Sequence, residues 1–128
     1  GAGQTVNVTL DANSLFQAQV GANQIAGFSS RGPRISDSML KPDLAAPGQS
    51  ILSAGVASGN RAVELSGSSM ACPMVTGAAA LVRELHPDFS PGEVKAALMN
   101  TAGDVTNDAG DVAPLSLVGS GECASMLR

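Results

Sequence analysis

Ser69 is the side chain in this sequence best placed to do chemistry. It sits in the run SGSSMACP, residues 66–73, at the mouth of an apolar stretch in which Met70, Met74, Val75, Ala78, Leu81 and Val82 recur at helical spacing. A hydroxyl at the N-terminal end of a helix lies where backbone N–H groups lack partners and the helix dipole favours negative charge. An oxyanion formed there is stabilised, which suits acyl transfer. Pro73, four residues on, has no N–H to offer the Ser69 carbonyl, so an irregular first turn is expected beside that serine. The plainer expectation is a helix cap, in which Ser69 accepts a bond from a first-turn N–H and Gly67 lets the chain enter at an unusual angle.

A serine is a weak nucleophile near neutral pH unless a base takes its proton. The chain has one histidine, His86. An unbroken helix from Ser69 to His86 would hold them about 25 Å apart. His86 is therefore excluded as the base of Ser69, and is expected to end the helix. The run DVTNDAGD, with Asp104, Asn107, Asp108 and Asp111, fails the spacing of an EF-hand loop, so a solvated acidic loop is expected rather than a calcium site. Cys72 and Cys123 have no metal-ligand spacing and are too few for a disulfide scaffold; two free thiols are expected.

The elements that must position Ser69 follow from composition and pattern. With 128 residues, 44% of them hydrophobic, the chain has the length of one domain and can bury a core. Its aromatics are three phenylalanines, so the core must be aliphatic and closely packed. TVNVTL, residues 5–10, alternates like a half-buried strand, and NQIAGFSS, residues 23–30, reads as a second, ended by Arg31-Gly32-Pro33. Pro42 and Pro47 keep residues 34–50 a loop. ILSAGVA from Ile51 reads as a strand, and GNRAVELSG as a turn followed by an extended segment. A helix is expected from Ser69 to about Leu85, buried because it is apolar on nearly all sides. Ser90, Pro91 and Glu93 spell a capping box that starts another helix, running to about Asn100.

The formal charge of −4, with seven basic residues scattered along the chain, leaves no positive stripe for a phosphate backbone, so nucleic acid is not an expected partner. No apolar run reaches the ~20 residues of a membrane span. The stretch GAGQTVNV has neither the charged nor the apolar region of a signal peptide.

The segment GSSMACPMVTGAAALV, residues 67–82, resembles the nucleophile motif of subtilisin-like serine proteases, Gly-Thr-Ser-Met-Ala-x-Pro-His-Val-Ala-Gly. FSSRGP (28–33), KPDLAAPG (41–48), HPDFSP (86–91), ALMNTA (97–102) and VGSGE (118–122) resemble further blocks of that family, in its order. The resemblance runs from Gln24 to Glu122. It implies an α/β fold, here a segment of a three-layer architecture with a mainly parallel sheet and a buried central helix. It also implies a secreted, extracellular serine endopeptidase with peptide or protein substrates. Ser69 falls on the nucleophile, Gly67, Ser68 and Met70 on its substrate-contacting neighbours, and Gly77 on a glycine that lets the helix pack closely. Ser68 replaces the usual threonine, and Met74 a non-catalytic histidine.

The family's triad runs Asp, His, Ser along the chain. Its Asp and His motifs and its oxyanion asparagine are not recognisable in residues 1–65, and Asp43 is expected to be a structural acid. The resemblance therefore implies that residues 23–128 are the C-terminal part of a catalytic domain whose remainder is the partner. Residues 1–22 are then a connection, or the end of an inserted protease-associated domain. No cofactor is expected, with calcium left open for the complete protein. The alternative is a non-catalytic segment or pseudoprotease binding module in which Ser69 only caps a helix.

Overall fold

The computed structural model describes residues 23–107 and 109–123. The expected strand at 5–10 and the connection at 1–22 lie outside these residues. Strand β1 (Ile51–Ala54) pairs antiparallel with β2 (Ala62–Leu65), with Ile51 opposite Leu65 and Ala54 opposite Ala62. The turn between them is held by Ser58, whose hydroxyl lies 2.7 Å from the Gly55 carbonyl and 2.9 Å from that of Arg61. Gly59 supplies a φ of +72° that side-chain-bearing residues avoid.

Helix α1 (Ser68–Leu85) starts directly beyond this hairpin and runs unbroken through Pro73. His86 ends it, donating its backbone N–H to Val82 O at 2.9 Å. The His86 ring stacks on Phe89 at 4.4 Å, and Arg83 Nη1 donates to the Phe89 carbonyl at 2.5 Å. These contacts fix the turn into α2 (Pro91–Asn100). That helix opens with the expected capping box: Ser90 Oγ accepts from Glu93 N at 3.4 Å, and Glu93 Oε2 accepts from Ser90 N at 2.7 Å. A single helical turn, α3 (Leu115–Val118), follows Pro114.

One core joins Val82 of α1 to Val94 and Leu98 of α2 and to Cys123, with Leu44, Ala46 and Phe89 packed around them. Burying each large aliphatic side chain contributes ~1.5–3 kcal/mol. A second core gathers Val105, Ala113 and Val118. Between them the VGSGE block threads past two neighbours: Ala45 N donates to Gly121 O at 2.8 Å, and Glu122 N to Gly103 O at 2.7 Å.

The fold is α/β, as expected, but three features differ from the sequence expectation. The one ladder of named strands among the described residues is antiparallel, and parallel pairing is limited to single bridges, Gln24 with Thr106 and Ala45 with Glu122. NQIAGFSS forms no strand; it contributes that Gln24 bridge and then turns at Gly27 and Phe28. Helix α1 is not buried. Val82 is its one buried residue, while Met74, Leu81 and Leu85 are 45%, 50% and 76% exposed, and a Cβ placed on Gly77 would meet nothing within 4 Å. Periodicity records which faces are apolar; here one face packs on α2, and no described element buries Met74, Leu81 or Leu85.

Candidate active site

Leu65 is the last residue of β2, and Ser68 the first of α1. The two residues between them, Ser66 and Gly67, are tied back to the chain that enters β1. Gly67 N donates to Gly48 O at 2.7 Å, and Ser50 N donates to Ser66 Oγ at 2.8 Å. A Cβ on Gly48 would lie 2.8 Å from Gly67 O and 3.2 Å from the Ala71 Cβ, so the approach of the KPDLAAPG block to the helix start requires glycine. Gly67 itself has φ +153°, which an L side chain rarely adopts.

From this anchor the helix begins tightly. Gly67 O accepts from both Met70 N, at 3.0 Å, and Ala71 N, at 3.4 Å. Gly67 is thus the cap residue, and no side chain caps the helix. The expected cap role of Ser69 is therefore corrected. Ser69 lies one residue inside the helix, exposed, and its hydroxyl has no hydrogen-bond partner among the described residues. The N–H groups of Ser68 and Ser69 likewise find no acceptor there, as first-turn donors do in any helix. The first turn carries no acidic residue to offset the positive end of the dipole.

Met70 is half-buried beside Ser69. It closes a cavity of about 290 Å³ whose other walls include Ile51, Val63 and Leu65 of the hairpin. Gly67, Ser68, Ser69 and Met70 lie together at one helix start, where the Ser68 and Ser69 N–H groups and the Ser69 hydroxyl have no partner among the described residues. That arrangement can present a nucleophile and stabilise an adjacent oxyanion. His86 lies outside it, at the far end of α1.

A profile of the subtilase family, Peptidase_S8, matches residues 5–121. This chain belongs to the subtilase family. It is 45% identical over 115 residues to the subtilisin-like protease SBT1.7 of Arabidopsis thaliana, an alignment covering 74% of this chain and 15% of that protein. To SBT1.6 of the same plant it is 50% identical over 95 residues, covering 65% of this chain and 12% of the relative. SBT3.10 is 43% identical over 100 residues, with 74% and 13% covered. The chain thus spans about one seventh of the length of these subtilases.

The remaining candidates have structural roles in this subtilase chain. Asp43 accepts from Lys41 Nζ at 2.5 Å and from Lys95 Nζ at 2.7 Å, and its carbonyl accepts from Ser120 N at 3.0 Å. The hydrogen bond from Lys41, then that from Lys95, hold its carboxyl below the ordinary carboxylate range. Asn107 Oδ1 accepts from Ala109 N at 2.9 Å and Asp111 N at 3.0 Å, which commits it to the loop's own backbone. Among the described residues no group of three His, Cys, Asp or Glu side chains is arranged to hold a metal ion, and Asp108 lies outside them. Both cysteines are free, Cys72 exposed and Cys123 buried, where burial and the neighbouring Glu122 raise its thiol pKa. No described helix is long and apolar enough to cross a membrane. Sequence reasoning missed Gly48, Ser50 and Ser66 as partners of the helix start, because their contacts join residues 16 to 19 positions apart.

Proposed function

We propose that this chain carries the nucleophile of a subtilisin-like serine endopeptidase, with the aspartate and histidine supplied from outside its 128 residues. A histidine base takes the Ser69 proton as Oγ attacks the substrate carbonyl. The tetrahedral oxyanion collapses, the amine leaves with that proton, and water then hydrolyses the acyl-enzyme on Ser69. Gly67 and Ser68 line the approach of the scissile carbonyl, and Met70 flanks it. The observation that carries the proposal is the exposed Ser69 hydroxyl, one residue inside α1 and free of any capping bond.

The remainder of the catalytic domain is the proposed cover of α1, an assignment supported by the exposure of Met74, Leu81 and Leu85. Residues 23–128 then form the C-terminal part of that domain, residues 1–22 a connection or the end of an inserted protease-associated domain, and the protease acts on extracellular peptides. The test is to label the complete protein with a fluorophosphonate and map the modified residue. Covalent labelling at Ser69, lost in Ser69→Ala together with peptide hydrolysis, is expected. A complete protein that hydrolyses peptides equally well as Ser69→Ala would overturn the assignment.

A further inference from the structure

Beyond the pair Ile51 and Leu65, the hairpin is no longer held by backbone groups alone. Ser50 adopts φ +54°, outside the extended region and uncommon for a residue with a side chain. Its N–H donates to the Ser66 hydroxyl rather than to a carbonyl. One step further on, Gly67 N donates to Gly48 O. Continued register would set Gln49 opposite Gly67, so the first strand's side accommodates one extra residue, as in a β-bulge. Such bulges bend a strand and re-aim the chain beyond it. Here that chain is the first turn of α1.

We propose that Ser66 is a positioning residue for Ser69. Its hydroxyl holds the bulge at Ser50 against the turn at Ser66 and Gly67, and so sets the direction in which α1 leaves the hairpin and in which Ser69 Oγ is presented. The proposal rests on the assignment of Ser69 as nucleophile. Ser66 touches no reacting atom; it acts through the backbone of Gly67 and Ser68. Its side chain is exposed and its one described partner is the Ser50 N–H. An exposed neutral hydrogen bond adds little to global stability. Misplacing a reacting group by about 1 Å costs on the order of 10²-fold in rate.

The experiment uses the complete protease, with active sites counted by fluorophosphonate titration so that unfolded protein does not enter the turnover number. Ser66→Ala is expected to lower kcat per titrated site roughly ten- to a hundred-fold, with KM changed less than about twofold. Ser66→Thr, which restores the acceptor, is expected to recover most of that loss. Ser66→Cys keeps the shape but offers a weak acceptor, and is expected to fall between them; it carries the test if Ser66→Ala does not fold. Full kcat in Ser66→Ala or Ser66→Cys, or a loss that Ser66→Thr does not recover, overturns the positioning role while leaving the nucleophile in place. No labelling of Ser69 in the unsubstituted protein overturns the nucleophile, and the positioning role with it.

Discussion

Ser69 and His86 stand at opposite ends of one unbroken helix, about 25 Å apart at the helical rise per residue. No rotamer change closes that gap, so the chain's one histidine cannot take the proton from its best-placed serine.

Purified residues 1–128 are accordingly expected not to hydrolyse peptides, and the complete protein is expected to do so. Removing the serine or histidine of a triad costs on the order of 10⁶ in turnover, a magnitude known from subtilisin itself, a member of this family. Turnover by the isolated chain that disappears in Ser69→Ala would show that a base lies within it.

Gly48→Ala is expected to displace the helix start, because the new methyl group would lie 2.8 Å from Gly67 O. The loss should be ~1–3 kcal/mol, the usual range for overpacking. Urea unfolding of the isolated chain checks it; an unchanged midpoint would mean that the Gly48 and Gly67 segments separate without cost.

Substitution at Gly77 reads out whether α1 is covered. In the isolated chain its Cβ position faces open space, so Gly77→Ala should stabilise by about 1 kcal/mol through helix propensity. In the complete protein, with that face packed, the larger Gly77→Leu should destabilise by ~1–3 kcal/mol. Thermal melts of both forms give the two signs, and stabilisation in both would argue that the face stays open.

Met70 is expected to make the complete enzyme sensitive to peroxide. Oxidation would set a polar sulfoxide on the half-buried residue that follows Ser69, in the cavity Met70 shares with the hairpin residues Ile51, Val63 and Leu65. Activity should decay as Met70 oxidises and persist in Met70→Leu; equal decay in both would move the sensitive site elsewhere.

Acid should loosen the junction at Asp43. Its carboxyl is depressed in the folded chain by Lys41 and Lys95, so its contribution is present above the ordinary carboxylate pKa and lost as pH falls through the folded value. Asp43→Asn should therefore lower stability at neutral pH and flatten the decline below about pH 4. Parallel stability curves for the two proteins across that range would refute the linkage.

The parts of the fold legible in the sequence are those whose causes are local. Ser90, Pro91 and Glu93 declare the start of α2 within four residues, and the turn at Gly59 declares the hairpin. The single turn α3 and the buried positions of Val105 and Ala113 were not legible, because their burial depends on Ile25 and Ala45, far away along the chain. The spacing of Met74, Leu81 and Leu85 likewise states apolarity but not what lies opposite. At the candidate site, the position of Ser69 at the start of α1 was legible from its neighbours, whereas the bond from Ser50 to Ser66 spans the whole hairpin and left no sequence mark.

The anchoring of Gly67 to Gly48 has a consequence for the order of assembly. Every contact that aims Ser69 falls between Gly48 and Ala71, so closing them restricts a short loop and costs little chain entropy. Contacts of such low sequence separation form early. The mount of the proposed nucleophile is therefore expected to be in place before any distant acid or base arrives, and maturation would become the docking of those groups onto a finished seat.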